Sequence, residues 1–213
     1  MTGSKLIAVI GVGIVVVLGL VFVISNDDDE TMSGKDVDGA FVSQMVPHHE
    51  GAIEMAEIAK ENGEHPEIIQ LANEIVRTQS AEIEDLNGMH ERIFGGPVGS
   101  EDHGDMGMDE TMMGMDMDMG ELETAKPFDR EFIDQMIVHH QGAIRMARME
   151  LRYGEDQEAK DLATAIVDAQ AAEIEQMNSW RQEWYGAPSP SGGVPSLDEM
   201  DPMEDHDMGG MNH

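Results

Sequence analysis

Residues 45–56 read MVPHHEGAIEMA, and residues 136–147 read MIVHHQGAIRMA. Two nearly identical frames, each built on adjacent histidines, decide how the chain is organised. They sit inside a longer repeat: Asp38 to Gly95 aligns without a gap on Asp129 to Gly186 at a single offset, 139 − 48 = 91. Phe41 falls on Phe132, Met45 on Met136, Gly63 on Gly154, Gln79 on Gln170 and Glu82 on Glu173. Two copies at so long a period are one duplicated unit rather than a solenoid array.

Each copy reads as a pair of helices. In the first, Phe41, Met45, Ala52 and Met55 form one apolar stripe at helical spacing, and Val42, Val46, Ile53 and Ala56 form a second beside it. NGEHPE then breaks the pattern, with Gly63 suited to a helix end and Pro66 to the first turn of the next helix. YGEDQE repeats the break in the second copy, with Asp156 as the expected N-cap. The following helices carry Leu71, Ile75, Ile83 and Leu86, and Leu162, Ile166, Ile174 and Met177. A short break between long amphipathic helices predicts an antiparallel hairpin. Two such hairpins, over 36–95 and 127–186, bury their apolar faces against each other as one all-α, four-helix bundle.

Neighbouring residues on a helix point about 100° apart. His48 therefore shares the stripe of Met45, and His49 shares that of Val46, so both face the interior. Met45 precedes them by three and four positions, near enough for its sulfur to approach either ring. His139 and His140 repeat this beside Met136, with Met146 a turn further on. Gly51 and Gly142 remove a side chain beside each pair, leaving room for a neighbouring helix. On the second helices Gln79, with Glu82 at the margin, and Gln170 and Glu173 add polar groups to the same side. Imidazole suits copper, zinc, iron and nickel, whereas a thioether selects Cu(I). The candidate bundle ligands are thus His48, His49, Met45, Met55, Gln79 and Glu82, with His139, His140, Met136, Met146, Gln170 and Glu173. A metal-free alternative has Gln79 and Glu82 satisfying the rings by hydrogen bonds.

The two frames resemble the signature of the secreted family called domain of unknown function 305. Its members carry M-I-P-H-H-x-x-A-x-x-M-A, followed on a second helix by Q-x-x-E-I. Gln79, Glu82 and Ile83, and Gln170, Glu173 and Ile174, match that second element. The resemblance covers both hairpins. It implies a ferritin-like bundle outside the cytoplasm, and some members of the family are linked to copper binding and tolerance. Val138 departs from the motif proline that Pro47 keeps, and Val138 retains the backbone donor that proline lacks.

The flanking segments extend the picture. Leu6 to Ile24 is an uncharged apolar run long enough to cross a bilayer, with Lys5 before it and SNDDDE after it. We expect a retained N-terminal transmembrane helix over 1–25, with the N-terminus cytoplasmic and the rest outside the cell membrane. A cleaved signal would make the chain secreted, but no A-x-A-like site follows the run. An acidic linker (26–35) leads into the first hairpin. Residues 96–126 form a Met-, Asp- and Gly-rich linker with almost no aliphatic residues, expected to be flexible and to hold no core. The 187–213 tail is similar. His103, Met106, Met108, Met112, Met113, Met115, Met117 and Met119 in the linker, and His206, Met208, Met211 and His213 in the tail, are candidate Cu(I) ligands. M-x-M spacing would place thioethers on one side of an extended chain.

Lys and Arg number 12 against 44 Asp and Glu, a net charge of −32, which excludes nucleic acid as a partner. No cysteine is present, so there is no thiolate metal site or Cys nucleophile. The expected function is membrane-anchored copper binding as a scavenger, buffer or chaperone, with metal ions and a copper-trafficking protein as partners. Copper, favoured as Cu(I), is the expected ion, with zinc and iron as alternatives. A ferritin-like di-metal oxidase is a competing reading, weakened because no histidine has Glu three residues before it. A purely structural acidic surface protein would account for the charge but not for the histidine pairs. No enzymatic turnover is expected.

Overall fold

The structure, a computed structural model, describes residues 32–96, 98–99 and 106–196. Helices α1 (Gly34–Asn62) and α2 (Pro66–Phe94) form one hairpin, and α4 (Phe128–Tyr153) and α5 (Gln157–Tyr185) the other. A short α3 (Met119–Thr124) lies in the connection between them. No strand occurs among the described residues. None of their helices is long and apolar enough to cross a membrane. The Leu6–Ile24 run lies outside the described residues, as do His103, His206, Met208, Met211 and His213.

Local sequence explains the ends. Ser33 and Asp36 form a capping box at the start of α1, each side chain bonding the other's backbone N–H. Pro66 opens α2, and Asp156 caps α5 by accepting from Glu158 and Ala159. Gly95 and Gly186 stop α2 and α5 in the left-handed region, at φ 81° and 82°, where a side chain is strained. Gly63 is not left-handed; a Cβ there would stand 2.7 Å from the Ala59 carbonyl oxygen.

The four long helices are not equivalent. α1 and α4 bury residues around most of their circumference, whereas α2 and α5 bury single stripes. α1 and α4 are therefore the central, antiparallel pair. Val37 to Val46 share one apolar cluster with Met146, Met149 and Ile166, while Ala52 to Ala59 share a second with Phe128, Phe132 and Met136. Phe41 and Phe132, related by the repeat, are both fully buried. At about 2 kcal/mol per large apolar side chain, these two clusters supply the main stabilisation.

The hairpins also clasp each other. The buried Asp129 carboxylate accepts from the backbone N–H groups of Glu64 and His65, both at 2.8 Å, and meets His65 Nδ1. Its counterpart Asp38 accepts from Glu155 at 2.8 Å and Asp156 at 3.1 Å. Each repeat thus holds the turn of the other, and the turn N–H groups in return satisfy a buried carboxylate.

The 96–126 segment departs from expectation. Met106 and Met108 are buried and belong to the first apolar cluster, while Met112 and Met113 pack against it and Met117 and Met119 pack against the second. Thioether side chains fill irregular gaps that few aliphatic residues were available to fill. Over its described residues 106–126 the segment is a strap bound to the bundle, so the expectation that it holds no core is corrected.

Glu150 is buried, and no hydrogen-bond donor reaches either of its oxygens. Burial, with the Asp38 carboxylate beside it, pushes its pKa up to about 8. This folded value lies above the ordinary carboxyl range. Its contribution is therefore complete below about pH 4.5 and is lost as the pH rises through about 8. We expect Glu150→Gln, which keeps a donor towards Asp38, to raise the thermal midpoint at pH 9 relative to the parent and to change it little at pH 5. Equal shifts at both pH values, by calorimetry, would contradict this assignment.

Candidate metal centre

The two histidine pairs meet where α1 crosses α4, between the apolar clusters. His48, His49, His139 and His140 are all 0% exposed. The rings of His48 and His139 lie 3.8 Å apart between centroids, tilted by 40°. Within each pair the centroids are 6.3 Å apart at 59°, the same in both copies. The helical stripe that placed these residues inward is thus realised.

Hydrogen bonds fix what each ring offers. His49 Nε2 lies 2.7 Å from Glu82 Oε2, and His140 Nε2 lies 2.6 Å from Glu173 Oε2. An ionised carboxylate only accepts, so each ring donates from Nε2 and, when neutral, leaves a lone pair on Nδ1. His48 Nε2 donates in the same way to the Met113 carbonyl at 2.8 Å. The Nδ1 atoms of His48, His49 and His140 have no hydrogen-bond partner, nor has either nitrogen of His139. Gln79 Oε1 and both amide atoms of Gln170 are likewise buried without partners. Each such atom costs about 1–3 kcal/mol. A cluster of them at one level of the bundle is unfavourable unless something is bound there.

Burial, reinforced by neighbouring histidines, lowers the His48 pKa to about 3 and takes that of His139 well below its ordinary value. These two rings are therefore neutral, the form that binds metal. The carboxylates of Glu82 and Glu173 hold the outer rings from behind, which is how a ligating imidazole is usually oriented. Both are candidate ligands by sequence; here each meets its histidine ring through one carboxylate oxygen, Oε2. Among the described residues no three His, Asp or Glu side chains converge on a point that could hold a metal ion. A site at the crossing therefore draws on the rings, on the thioethers, or on ring rotation.

The methionines divide between places. Met45 and Met146 lie in the first apolar cluster, and Met55 and Met136 in the second. Met115 is half-buried and belongs to neither. Gly142 admits the strap, whereas Gly51 borders both the strap, through Met117, and the neighbouring helix α4, through His139. A Cβ on Gly142 would overlap the Met113 carbonyl, and one on Gly114 (φ +69°) would run into the Val138 carbonyl. Arg145 adds a hydrogen bond to the Met112 carbonyl at 3.0 Å. Sequence reasoning missed this role of Met113 because a backbone carbonyl leaves no compositional mark.

Comparison with known proteins places this geometry. The family model described as Domain of unknown function (DUF305) matches residues 38–181 and, overlapping them, 160–213. The structure of CopM in its Cu(I)-bound form is 41% identical, covering 70% of this chain and 98% of that one, at a TM-score of 0.60. The Cu(II)-bound form of CopM gives 42% identity, 70% and 97% coverage and a TM-score of 0.62. A DUF305 protein from Streptomyces coelicolor is 25% identical, with 74% and 98% coverage and a TM-score of 0.62. No curated protein matches the chain.

The depressed His48 pKa has a consequence for the metal-free protein. Below about pH 6.5 the unfolded chain takes up a proton on this residue, whereas the folded chain does so only near pH 3. Stability on this account falls as the pH drops through that window, by about 2 kcal/mol per such imidazole between pH 6.5 and 5. Denaturant midpoints should show a shallower loss between pH 7 and 5 in His48→Gln than in the parent. Parallel pH profiles would contradict a buried neutral ring.

Proposed function

The chain belongs to the DUF305 family, and from that premise we propose that it is a membrane-anchored, extracytoplasmic copper-binding protein, acting as a scavenger, buffer or chaperone. The observation that carries this reading is the set of unpartnered imidazole nitrogens at the α1–α4 crossing, with Glu82 and Glu173 holding the outer rings from behind. The donor set fits copper: neutral imidazoles accept Cu(I) or Cu(II), and nearby thioethers favour Cu(I). The likeness to CopM, known in Cu(I)- and Cu(II)-bound forms, supports copper as the ion.

The bundle histidines hold few ions tightly, because packed helices fix the rings before binding. The Met- and His-bearing tail captures Cu(I) more weakly and in more copies. The acidic surface raises the local cation concentration without choosing the metal. Anchoring rests on the uncharged Leu6–Ile24 run with Lys5 before it, and a copper-trafficking protein is the expected partner. The chain binds its ion as cargo and turns over no organic substrate. Glu82 and Glu173 are each engaged by a histidine of their own hairpin, which speaks against their use as the bridging carboxylates of a di-metal oxidase.

Two measurements test the reading. Cu(I) competition titration should show a tight site in the full chain that disappears in the double variant His48→Leu/His139→Leu, with circular dichroism confirming that the bundle persists. Glu82→Gln with Glu173→Gln should weaken that site by about tenfold to a hundredfold without abolishing it. Unchanged stoichiometry and affinity in the histidine variant would rule out the bundle as the copper site. Dioxygen consumption by the iron-loaded protein, lost in the glutamine variant, would favour the oxidase instead.

A further inference from the structure

The strap does more than cover the histidine layer. Its Met113 carbonyl occupies His48 Nε2 at 2.8 Å, which leaves Nδ1 as that ring's free donor. Four residues on, the Met117 side chain reaches the same layer. The point where a Cβ would stand on Gly51 is 3.0 Å from Met117 Cε and 3.5 Å from His139 Nε2. That nitrogen is fully buried and makes no hydrogen bond. The absent side chain at Gly51 leaves a space that both the Met117 methyl and His139 Nε2 border.

We propose that Met117 and His139, with His48 beside them, form a mixed thioether–imidazole Cu(I) site completed by the strap. The proposal rests on the copper-binding reading above and adds the soft ligand that selects the oxidation state. Three features point to a ligand rather than to packing alone. His139 is the ring for which the fold supplies no partner at either nitrogen. The histidine and carboxylate groups do not converge to a cage of three, so a site of this size needs a donor of another kind. Cu(I) is content with two to four soft ligands, and a thioether with one or two imidazoles meets that requirement.

Met117 is half-buried, whereas the four rings are fully enclosed. It is thus the ligand at the boundary between solvent and the layer, and an arriving ion meets sulfur before nitrogen. Hard or borderline divalent ions gain little from that first contact. The strap therefore acts as the selectivity element, while the seat beneath it is made by Gly142, Val138 and Arg145. Binding at this site forms coordinate bonds only; no electron or proton need be transferred when the ion arrives as Cu(I).

The test uses the full chain carrying 13C-methyl methionine, titrated with Cu(I) and with the redox-inert Ag(I). Met117→Leu identifies the Met117 methyl signal by its loss, and as a volume-conserving change it leaves the fold intact. Within the first equivalent of either ion the Met117 methyl and the His139 ring signals should shift together. Met117→Leu should weaken the first Cu(I) site about tenfold or more, with zinc affinity unchanged; Met149→Leu, in the first apolar cluster, should leave both as they are. If the histidine signals move and Met117 does not, the mixed site is overturned and the bundle histidines stand as a copper site without the strap. If neither the histidines nor Met117 respond and no tight ion is bound, the copper-binding reading fails and this proposal fails with it.

Discussion

Four imidazoles withdrawn from water at the crossing of two helices impose the constraint on which the rest of the molecule depends. A buried ring needs a hydrogen bond at each nitrogen, or a ligand in place of one. The bundle meets that demand at three of the eight nitrogens. Glu82, Glu173 and the Met113 carbonyl each take one nitrogen, and the remaining five are buried without a hydrogen-bond partner. This polar waist divides the core into two apolar clusters. Those clusters, not the histidines, supply the stabilisation that permits such a costly arrangement to persist.

The approximate two-fold relation between hairpins makes the constraint manageable. Asp38 and Asp129 exchange places as clasps on each other's turns, so the hairpins are locked at both ends of the bundle. Registration at the ends fixes registration at the waist, where His48 and His139 meet at 3.8 Å. The matching geometry within the two pairs follows from that symmetry.

The repeats have diverged where symmetry must be broken. One strap cannot lie on both halves, and the second copy carries the changes that seat it. Arg145 stands where the first copy has Glu54, and Val138, whose carbonyl underlies Gly114, stands where it has Pro47. Gln141 replaces Glu50 and donates to the carbonyls of Ser191 and Gly193, holding the C-terminal segment against α4. Glu150 replaces Ala59 and sits against Gly154 beside Asp38. Differences between the copies therefore mark the docking sites of the connecting segments, while identities mark the waist.

The sequence by itself determined the helices, their pairing into hairpins and the inward direction of His48, His49, His139 and His140. All of these follow from local periodicity and from a repeat that can be read by alignment. It also named Glu82 and Glu173 as partners of the pairs, though not the atoms they would hold. Only the tertiary structure decided which nitrogens are left bare, because that depends on acceptors arriving from other elements, one of them the Met113 backbone. It decided the fate of the methionine-rich linker too. Composition alone argued that residues 96–126 hold no core, yet Met106 and Met108 are buried because a surface already formed by α1, α2 and α4 offers gaps that thioethers fill. Contacts between segments distant in sequence leave no periodic trace in either one, which is why the strap, the clasps and the approach of Met117 and His139 to one space beside Gly51 became visible only in three dimensions.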